Sequence, residues 1–354
     1  MRDRLSYDVV VVGGGPAGAT AALYTTRLGH STAVFEKEGG RHAAVNHVHN
    51  VYGVSEDVSG RALSSHAVAQ LEAYGADYYL DPVANVRRAD GNGDGSTDGR
   101  FVVEAEHATV AAERVVLATG FTDREPSVPG LQTFTGHGLH YCLHCDGYLL
   151  GDASAYVLGH GDHAAGVAMI LLNFTGDVDL LLDGRDPEWS DDRERQIRAH
   201  PVERVDTEVT RAFADDEDDD RLGGLEFADG REREYRGGFA VYGKSYNTGL
   251  AESLGCALAD DGAVDVDERF ETSVDGVYAV GDLTHGQNQT VVAMGDGAKA
   301  GMAIDKDLRR YPRPPGEEVD ESAVPSAPAD LRSRMRLVRE RDSHPGLGES
   351  ESVE

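Results

Sequence analysis

The sequence predicts an α/β protein built around two Rossmann-like nucleotide-binding units. Two observations carry the fold class and a third gives it a purpose. An apolar run at Tyr7 to Val12 is followed by a glycine turn at Gly13 to Gly18. A helical pattern from Ala19 to Leu28 and a second apolar run, Thr32 to Phe35, closed by Glu36, complete the set. This is the strand, turn, helix, strand, acid order of a dinucleotide-binding βαβ unit. The order returns at Ala155 to Leu158, Gly159 to Ala164, a helix through Asn173, and Val178 to Leu182 closed by Asp183. Between the two turns stands Cys142-Leu143-His144-Cys145, in a chain of 354 residues with only three cysteines. The length suffices for two compact domains.

Each element has its own warrant. Gly13, Gly15 and Gly18, with Pro16 and Ala17 between the last two, fit the G-x-G-x-x-G fingerprint. The first glycine permits the tight turn, the second lets backbone approach a pyrophosphate, and the third lets helix and strand pack closely. The helix N-terminus lends partial positive charge to the phosphates. Glu36 follows at the spacing of roughly 20 residues at which an acid accepts from a ribose hydroxyl. Next come a β-rich stretch with a turn-forming tip at Gly91 to Gly99, and an apolar strand, Val115 to Thr119, closed by Gly120. After the second unit, Phe239 to Gly243 and Val277 to Val280 read as strands, the latter ending at Gly281-Asp282. A helix runs from Thr290 to about Leu308; its N-terminus would stabilise a reduced, anionic flavin, and Asp282 would bond a ribityl chain. From Pro312 prolines recur at 314, 315, 325, 328 and 345, so residues 312–354 are expected to be a disordered acidic, proline-rich tail. Within it, 329–341 has helical character and five arginines, read as a helix without a partner or as a docking segment.

Composition narrows the function. No run of 18 or more apolar residues exists, so no membrane span is expected. No charged leader with a cleavage site precedes the first strand, and a cytoplasmic protein is expected. Structural disulfides are rare there. Acidic residues number 63 against 33 basic ones, a net charge of −30, and lysine occurs only at 37, 244, 299 and 306. That balance reads as adaptation to molar salt, which screens a dense negative surface. It also repels phosphates, so no nucleic-acid partner is expected.

The Cys142–Cys145 spacing has three readings. A zinc site would need four ligands, and only His140 and His144 stand nearby with no second cysteine pair, so no metal is expected. A structural pair is the second. A redox-active dithiol, flanked by nucleotide units that supply or accept electrons, is the third, and it points to a flavin-dependent enzyme. Asp146 follows at once, where a carboxylate can exchange protons as sulfurs change charge. Cys256 has no near partner and reads as a buried, inert thiol.

The ordered set Gly-Gly-Gly-Pro-Ala-Gly, Ala-Thr-Gly, Cys-x-x-Cys-Asp-Gly, Gly-x-Gly-x-x-Ala and Val-Gly-Asp resembles the low-molecular-weight thioredoxin reductase family over about residues 5–310. The resemblance implies two Rossmann-like domains, the second inserted into the first. Residues 1–121 and 246–311 would bind FAD, and 122–245 would be a pyridine-nucleotide-type domain that carries the cysteines and rotates. It implies FAD contacts at Gly13, Gly15, Pro16, Ala17, Gly18, Glu36, Lys37, Gly40, Arg41, Asn50, Gly120, Gly281, Asp282, Gln289 and Thr290. Cys145 would take electrons from the flavin, Cys142 would attack a partner disulfide, and Asp146 would be the acid/base. Gly159, Gly161, Asp183 and Arg185 would meet NADPH or NADH. Thioredoxin or a similar small redox protein would be the partner, and a homodimer the assembly.

The chain departs from the family at Leu182-Asp183-Gly184-Arg185-Asp186-Pro187, where an arginine cluster normally holds the 2′-phosphate of NADPH. It also shares His47-Val48-His49-Asn50 and the Cys-Leu-His-Cys-Asp-Gly-Tyr run with a side branch of dithiol oxidases that use oxygen. The expected activity is therefore NAD(P)H-driven disulfide reduction in a halophile's cytoplasm. The alternatives are dithiol oxidation, ferredoxin-driven reduction, or a non-catalytic redox sensor.

Overall fold

A computed structural model of the chain describes residues 5–89 and 100–341; the turn-forming tip at 91–99 and residues 342–354 lie outside the described residues. The chain divides into two compact units. One runs to Thr122 and resumes at Tyr246; the other is Asp123–Ser245.

The first unit opens with strand β1 (Ser6–Val12), helix α1 (Pro16–Arg27) and strand β2 (Thr32–Glu36). A short helix α2 (Gly40–Ala43) and the longer α3 (Gly60–Tyr74) follow, the latter capped by the Ser59 hydroxyl, which accepts from Ala62 N–H. Strands β3 (Asp77–Leu80), β4 (Val83–Arg88), β5 (Phe101–Ala105) and β6 (Thr109–Leu117) come next. The sheet order is β3-β2-β1-β6-β5-β4, parallel from β3 to β6 and antiparallel across β4, β5 and β6. Val12 stands level with Phe35 on one side and Leu117 on the other. The carboxyl ends of the central strands therefore share one edge, where ligands of open α/β sheets bind.

A short strand β7 (Phe121–Asp123) leads into the second unit. Its elements are β8 (Leu139–His140), α4 (Leu143–Asp146), β9 (Ala155–Leu158), α5 (Asp162–Leu171), β10 (Val178–Leu181), α6 (Asp191–Arg198) and β11 (Val202–Val205). Then come β12 (Val209–Ala214), β13 (Leu222–Phe227), β14 (Glu232–Glu234), β15 (Gly237–Ala240) and β16 (Lys244–Tyr246). Five of these form a parallel sheet, β11-β10-β9-β15-β8, and β12-β13-β14 make an antiparallel one. Strands β9, β10 and β15 are buried at every residue, as in a sheet covered on both faces; Asp179 of β10 is the charged exception and accepts from the Tyr235 hydroxyl at 2.6 Å.

Back in the first unit, α7 (Gly249–Leu254) precedes β17 (Val277–Ala279), which pairs with the end of β6. Helix α8 (Thr290–Leu308) lies along α1. The approach is close because Gly297 and Gly301 face α1: a Cβ on the first would collide with Ala17 O, and on the second would stand 2.7 Å from Tyr24 Cβ.

Within the expected tail, residues 329–339 form helix α9 (Ala329–Arg339), with Leu331 buried. Arg334 Nη1 donates to Gly75 O at 2.7 Å and Arg341 Nη2 to Ala73 O at 3.1 Å. Carbonyls at a helix C-terminus lack intrahelical partners and carry partial negative charge, so the end of α3 is a natural acceptor for guanidinium groups. Composition alone weighs charge and proline and misses such a partner. No helix among the described residues is long and apolar enough to cross a membrane.

Candidate active site

The cysteines owe their geometry to a strand that stops and a helix too short to continue. β8 ends at His140, and Cys142, in extended backbone, caps the four-residue α4. The N–H groups of Cys145 and Asp146 both donate to Cys142 O at 3.1 Å, so all three residues share one tight turn. Across it Cys142 and Cys145 form a disulfide, and Cys145 N–H also points at Cys142 Sγ, 3.1 Å away. Asp146 Oδ2 lies 3.2 Å from Nδ1 of His140, whose side chain is 8% exposed. Among the described residues no cluster of three or more His, Cys, Asp or Glu is placed to hold a metal ion. A pair of half-buried sulfurs with an adjacent carboxylate is suited to thiol–disulfide exchange.

The glycine turn of the same unit differs from an open phosphate cradle. A Cβ at Gly159 would lie 2.7 Å from Val241 O, so that glycine is required, while Gly161 faces open space. Beside it the backbone of Glu188 bridges Gly161, and Glu188 N–H donates to His160 O at 2.6 Å. Asp162 opens α5 and accepts from Ser190 N–H at 3.3 Å, with Arg193 Nε at 3.5 Å. Asp183, at φ 54°, accepts the Val209 N–H on Oδ1 at 2.9 Å. The carboxylate expected to meet a ribose is thus already holding a turn. The Arg185 guanidinium lies over the Tyr242 ring, 5.4 Å from its centroid. Burial first, and Asp183 second, push the Tyr242 hydroxyl up to about 12.

In the first unit the glycines are held by contact as well as by conformation. Gly13 has φ 105°, and a Cβ there would collide with Ala118 O; a Cβ on Gly18 would collide with Gly13 O; Gly15 faces open space. Glu36 is buried at the end of β2. Its Oε1 accepts from the N–H groups of Lys37, Glu38 and Gly39 at 2.9–3.0 Å, and its Oε2 accepts from Gly14 N–H. Burial, then Glu36, raise the neighbouring Tyr78 hydroxyl to about 12. The Lys37 ammonium pairs with Glu38 at 3.2 Å on the surface. Farther along the edge, Gly120 and Gly281 take φ 62° and 65°, and Asp282 Oδ1 accepts from Asn288 at 3.1 Å. The loop after Gly40 folds against the start of α8: Asn50 Nδ2 donates to Gln289 Oε1 at 2.7 Å. Arg41 lies over the Phe121 ring at 4.8 Å.

His42, in the same stretch, was not singled out by the sequence, and His49 stood out only as part of the run shared with the dithiol oxidases. His42 Nδ1 stands 3.4 Å from Thr290 Oγ1, and its Nε2 is buried without a partner; so is Nδ1 of His49. Burial, and then the Arg41 charge, lower the His42 pKa, so its ring is held neutral. Orphaned buried polar atoms are rare in folded proteins. Two of them in one stretch, beside a glycine turn open at Gly15, fit a polar cofactor such as FAD. The sequence signal for His42 was no more than an imidazole in an otherwise small and apolar segment.

A family model described as pyridine nucleotide-disulphide oxidoreductase matches residues 7–297. The thioredoxin reductase of Bacillus subtilis (strain 168) is 30% identical over 315 residues, covering 86% of this chain and 95% of its own length. One of the subunits that make up the alkyl hydroperoxide reductase of Pseudomonas putida is 32% identical over 87% of this chain, which spans only 59% of that relative. The crystal structure of thioredoxin reductase from Streptococcus pyogenes MGAS5005 superposes with a TM-score of 0.77 at 27% identity, covering 86% of this chain and 99% of that one. The two Rossmann-like domains of such structures match the α/β fold described above.

Proposed function

This chain belongs to the pyridine nucleotide-disulphide oxidoreductase family and is a flavin-dependent disulfide oxidoreductase; on that premise we propose that it exchanges electrons with thioredoxin or a similar small redox protein through Cys142 and Cys145. The observation that carries the reading is the Cys142–Cys145 disulfide on one turn with Asp146. FAD, when bound, supplies two-electron exchange between a nicotinamide donor and the disulfide. Gly13, Gly15, Pro16, Ala17 and Gly18 would hold its pyrophosphate at the start of α1, and Glu36 would act on the adenosine side through the turn it fixes. Arg41, Asn50, Asp282, Gln289 and Thr290 would bind the remainder, with Lys37, Gly40, Gly120 and Gly281 shaping the backbone.

In the thiol chemistry, the Cys142 thiolate attacks a sulfur of the partner disulfide. The partner's leaving sulfur takes a proton from Asp146. Cys145 then attacks Cys142 Sγ, closes the disulfide and releases the reduced partner. A homodimer in the cytoplasm of a salt-adapted organism is the setting we infer from the family resemblance and the charge of −30.

A second reading, oxidation of a dithiol by oxygen, draws on the second glycine turn. Asp162, Asp183 and Glu188 surround it, Asp183 is already committed to Val209, and Arg185 is engaged with Tyr242. Anaerobic reduction of the flavin with NADPH, NADH and dithiothreitol, tried separately in molar potassium chloride, tests both. Saturable bleaching by a nucleotide, with turnover on oxidised thioredoxin, supports the first. Bleaching by dithiothreitol alone, reversed by oxygen, replaces it with the second. In either direction Asp146→Asn slows turnover by roughly 10²- to 10⁴-fold, the contribution of a placed acid/base.

A further inference from the structure

We propose that His140 is a positioning residue for Asp146, its imidazole holding one carboxylate oxygen so that the other carries the proton exchanged with the cysteine sulfurs. The inference rests on the acid/base reading of Asp146 given above. Three observations lead to it. The Nδ1–Oδ2 separation is 3.2 Å, and the imidazole is almost fully buried while the carboxylate is 23% exposed. His140 is fixed from behind: it lies in β8 opposite Phe239 of β15, whose ring centroid is 5.8 Å from its own. Asp146 is fixed from the other side by its backbone bond to Cys142.

The surroundings leave few competitors. β15 reads Gly-Gly-Phe-Ala, and the single turn at Leu131–Phe134 that packs on β8 reads Leu-Gln-Thr-Phe; neither bears a charge. The titratable groups on α4 and its cap are His144, Asp146 and the two cysteines. At 3.2 Å the ring nitrogen and the carboxylate oxygen are within ion-pair reach, which holds Oδ2 against the buried ring. The contact at Oδ2 leaves Oδ1 as the oxygen free to exchange a proton.

The step balances. With a dithiol as reductant, one thiol gives its proton to Asp146 Oδ1 and its sulfur bonds to Cys142 Sγ, while the Cys142–Cys145 bond breaks and its electron pair stays on Cys145. The second thiol, its proton released to solvent, then attacks the first substrate sulfur and closes the substrate disulfide; Cys142 leaves as a thiolate and takes the proton from Asp146. The dithiol is oxidised to a disulfide and the cysteine pair is reduced.

The test uses the FAD-loaded full chain, dithiothreitol as probe, and stopped-flow flavin bleaching without oxygen from pH 5 to 9 in molar potassium chloride. Rates of His140→Leu are divided by wild-type rates at each pH, which cancels the probe's own ionisation. Without His140 the carboxylate loses its anchor, and the ratio should fall about tenfold, part of the roughly 10²- to 10⁴-fold contribution of a placed acid/base. His140→Asn, whose amide can hold Oδ2 as Nδ1 does, should restore the ratio, and His140→Gln should not. The double variant with Asp146→Asn should be no slower than Asp146→Asn alone, because the two act through one group. A ratio near one, or a double variant slowed multiplicatively, overturns the proposal while leaving Asp146 in place. Wild-type rates in Asp146→Asn, or no bleaching of the wild type, overturn the underlying reading and the proposal with it. Should His140→Leu fail to retain FAD, the contrast between His140→Asn and His140→Gln carries the test.

Discussion

Asn50 Nδ2 donates to Gln289 Oε1 at 2.7 Å, joining the loop after α2 to the residue that caps α8 across 239 positions of sequence. Both residues border the proposed flavin site, so this bond ties two of its walls together. Asn50→Leu and Gln289→Ala should each weaken FAD binding about tenfold, equivalent to roughly 1.4 kcal/mol. Fluorescence of released flavin measures it. Because the two variants break the same bond, the double variant should lose little more than either single one. Unchanged FAD affinity in both would remove this bond from the cofactor site.

Cys142→Ser should keep FAD and lose all dithiol-coupled turnover. On reduction it should develop a long-wavelength absorbance band, because a thiolate confined to Cys145 can donate charge to the flavin. Cys256→Ser should behave as wild type: the Cys256 thiol is buried in the core, burial pushes its pKa up, and it donates to Thr272 Oγ1 at 3.4 Å. Full activity in Cys142→Ser would rule out the dithiol route.

Acidification should release the cofactor through His42. Its pKa in the folded protein lies below the ordinary imidazole value, because burial and Arg41 oppose protonation and Asp282 only partly offsets them. The unfolded chain therefore binds a proton that the folded chain does not. The resulting stability is fully present above about pH 6.5 and is lost progressively as pH falls below it. His163 in the other unit is shifted the same way, by burial and then Lys244, and adds to the trend. His42→Gln should flatten the dependence of FAD retention on pH between 5 and 7, read by flavin fluorescence after gel filtration. A variant as acid-sensitive as the wild type would assign the effect elsewhere.

Salt should govern stability. A charge of −30 repels itself in dilute buffer, and the screening length falls from about 10 Å at 0.1 M to about 3 Å at 1 M. The melting temperature should rise with potassium chloride, and dilute buffer should shed FAD. A melting temperature indifferent to salt would contradict a salt-adapted surface.

The electron donor should show no strong preference for NADPH. No arginine cluster follows β10; Arg185 is engaged with Tyr242, and Asp183, Asp186 and Glu188 repel a 2′-phosphate. Screening by salt weakens that repulsion without supplying bidentate donors. Stopped-flow bleaching with each nucleotide decides it. Fast, saturable reduction by NADPH with none by NADH would overturn the argument.

Local chemistry makes much of this protein legible in its sequence. The two glycine turns, the acids that close their second strands and the Cys-x-x-Cys-Asp run are contiguous patterns. Their meaning depends on backbone freedom and short spacing, as the φ of 105° at Gly13 illustrates. Sequence order likewise conveys the alternation of strands and helices, because buried parallel strands are nearly unbroken apolar runs. What decides the rest is which distant groups packing brings together. Neither the His140–Asp146 pair nor the Asn50–Gln289 bond can be read from spacing alone, since both depend on how strand ends and loops converge. Asp183 reads as a ribose acceptor until folding sets the Val209 N–H against it. The arginines of 329–341 read as a helix without a partner or as a docking segment until the end of α3 offers them carbonyls. Polar side chains take their roles from partners and burial, and both exist only once the chain has folded.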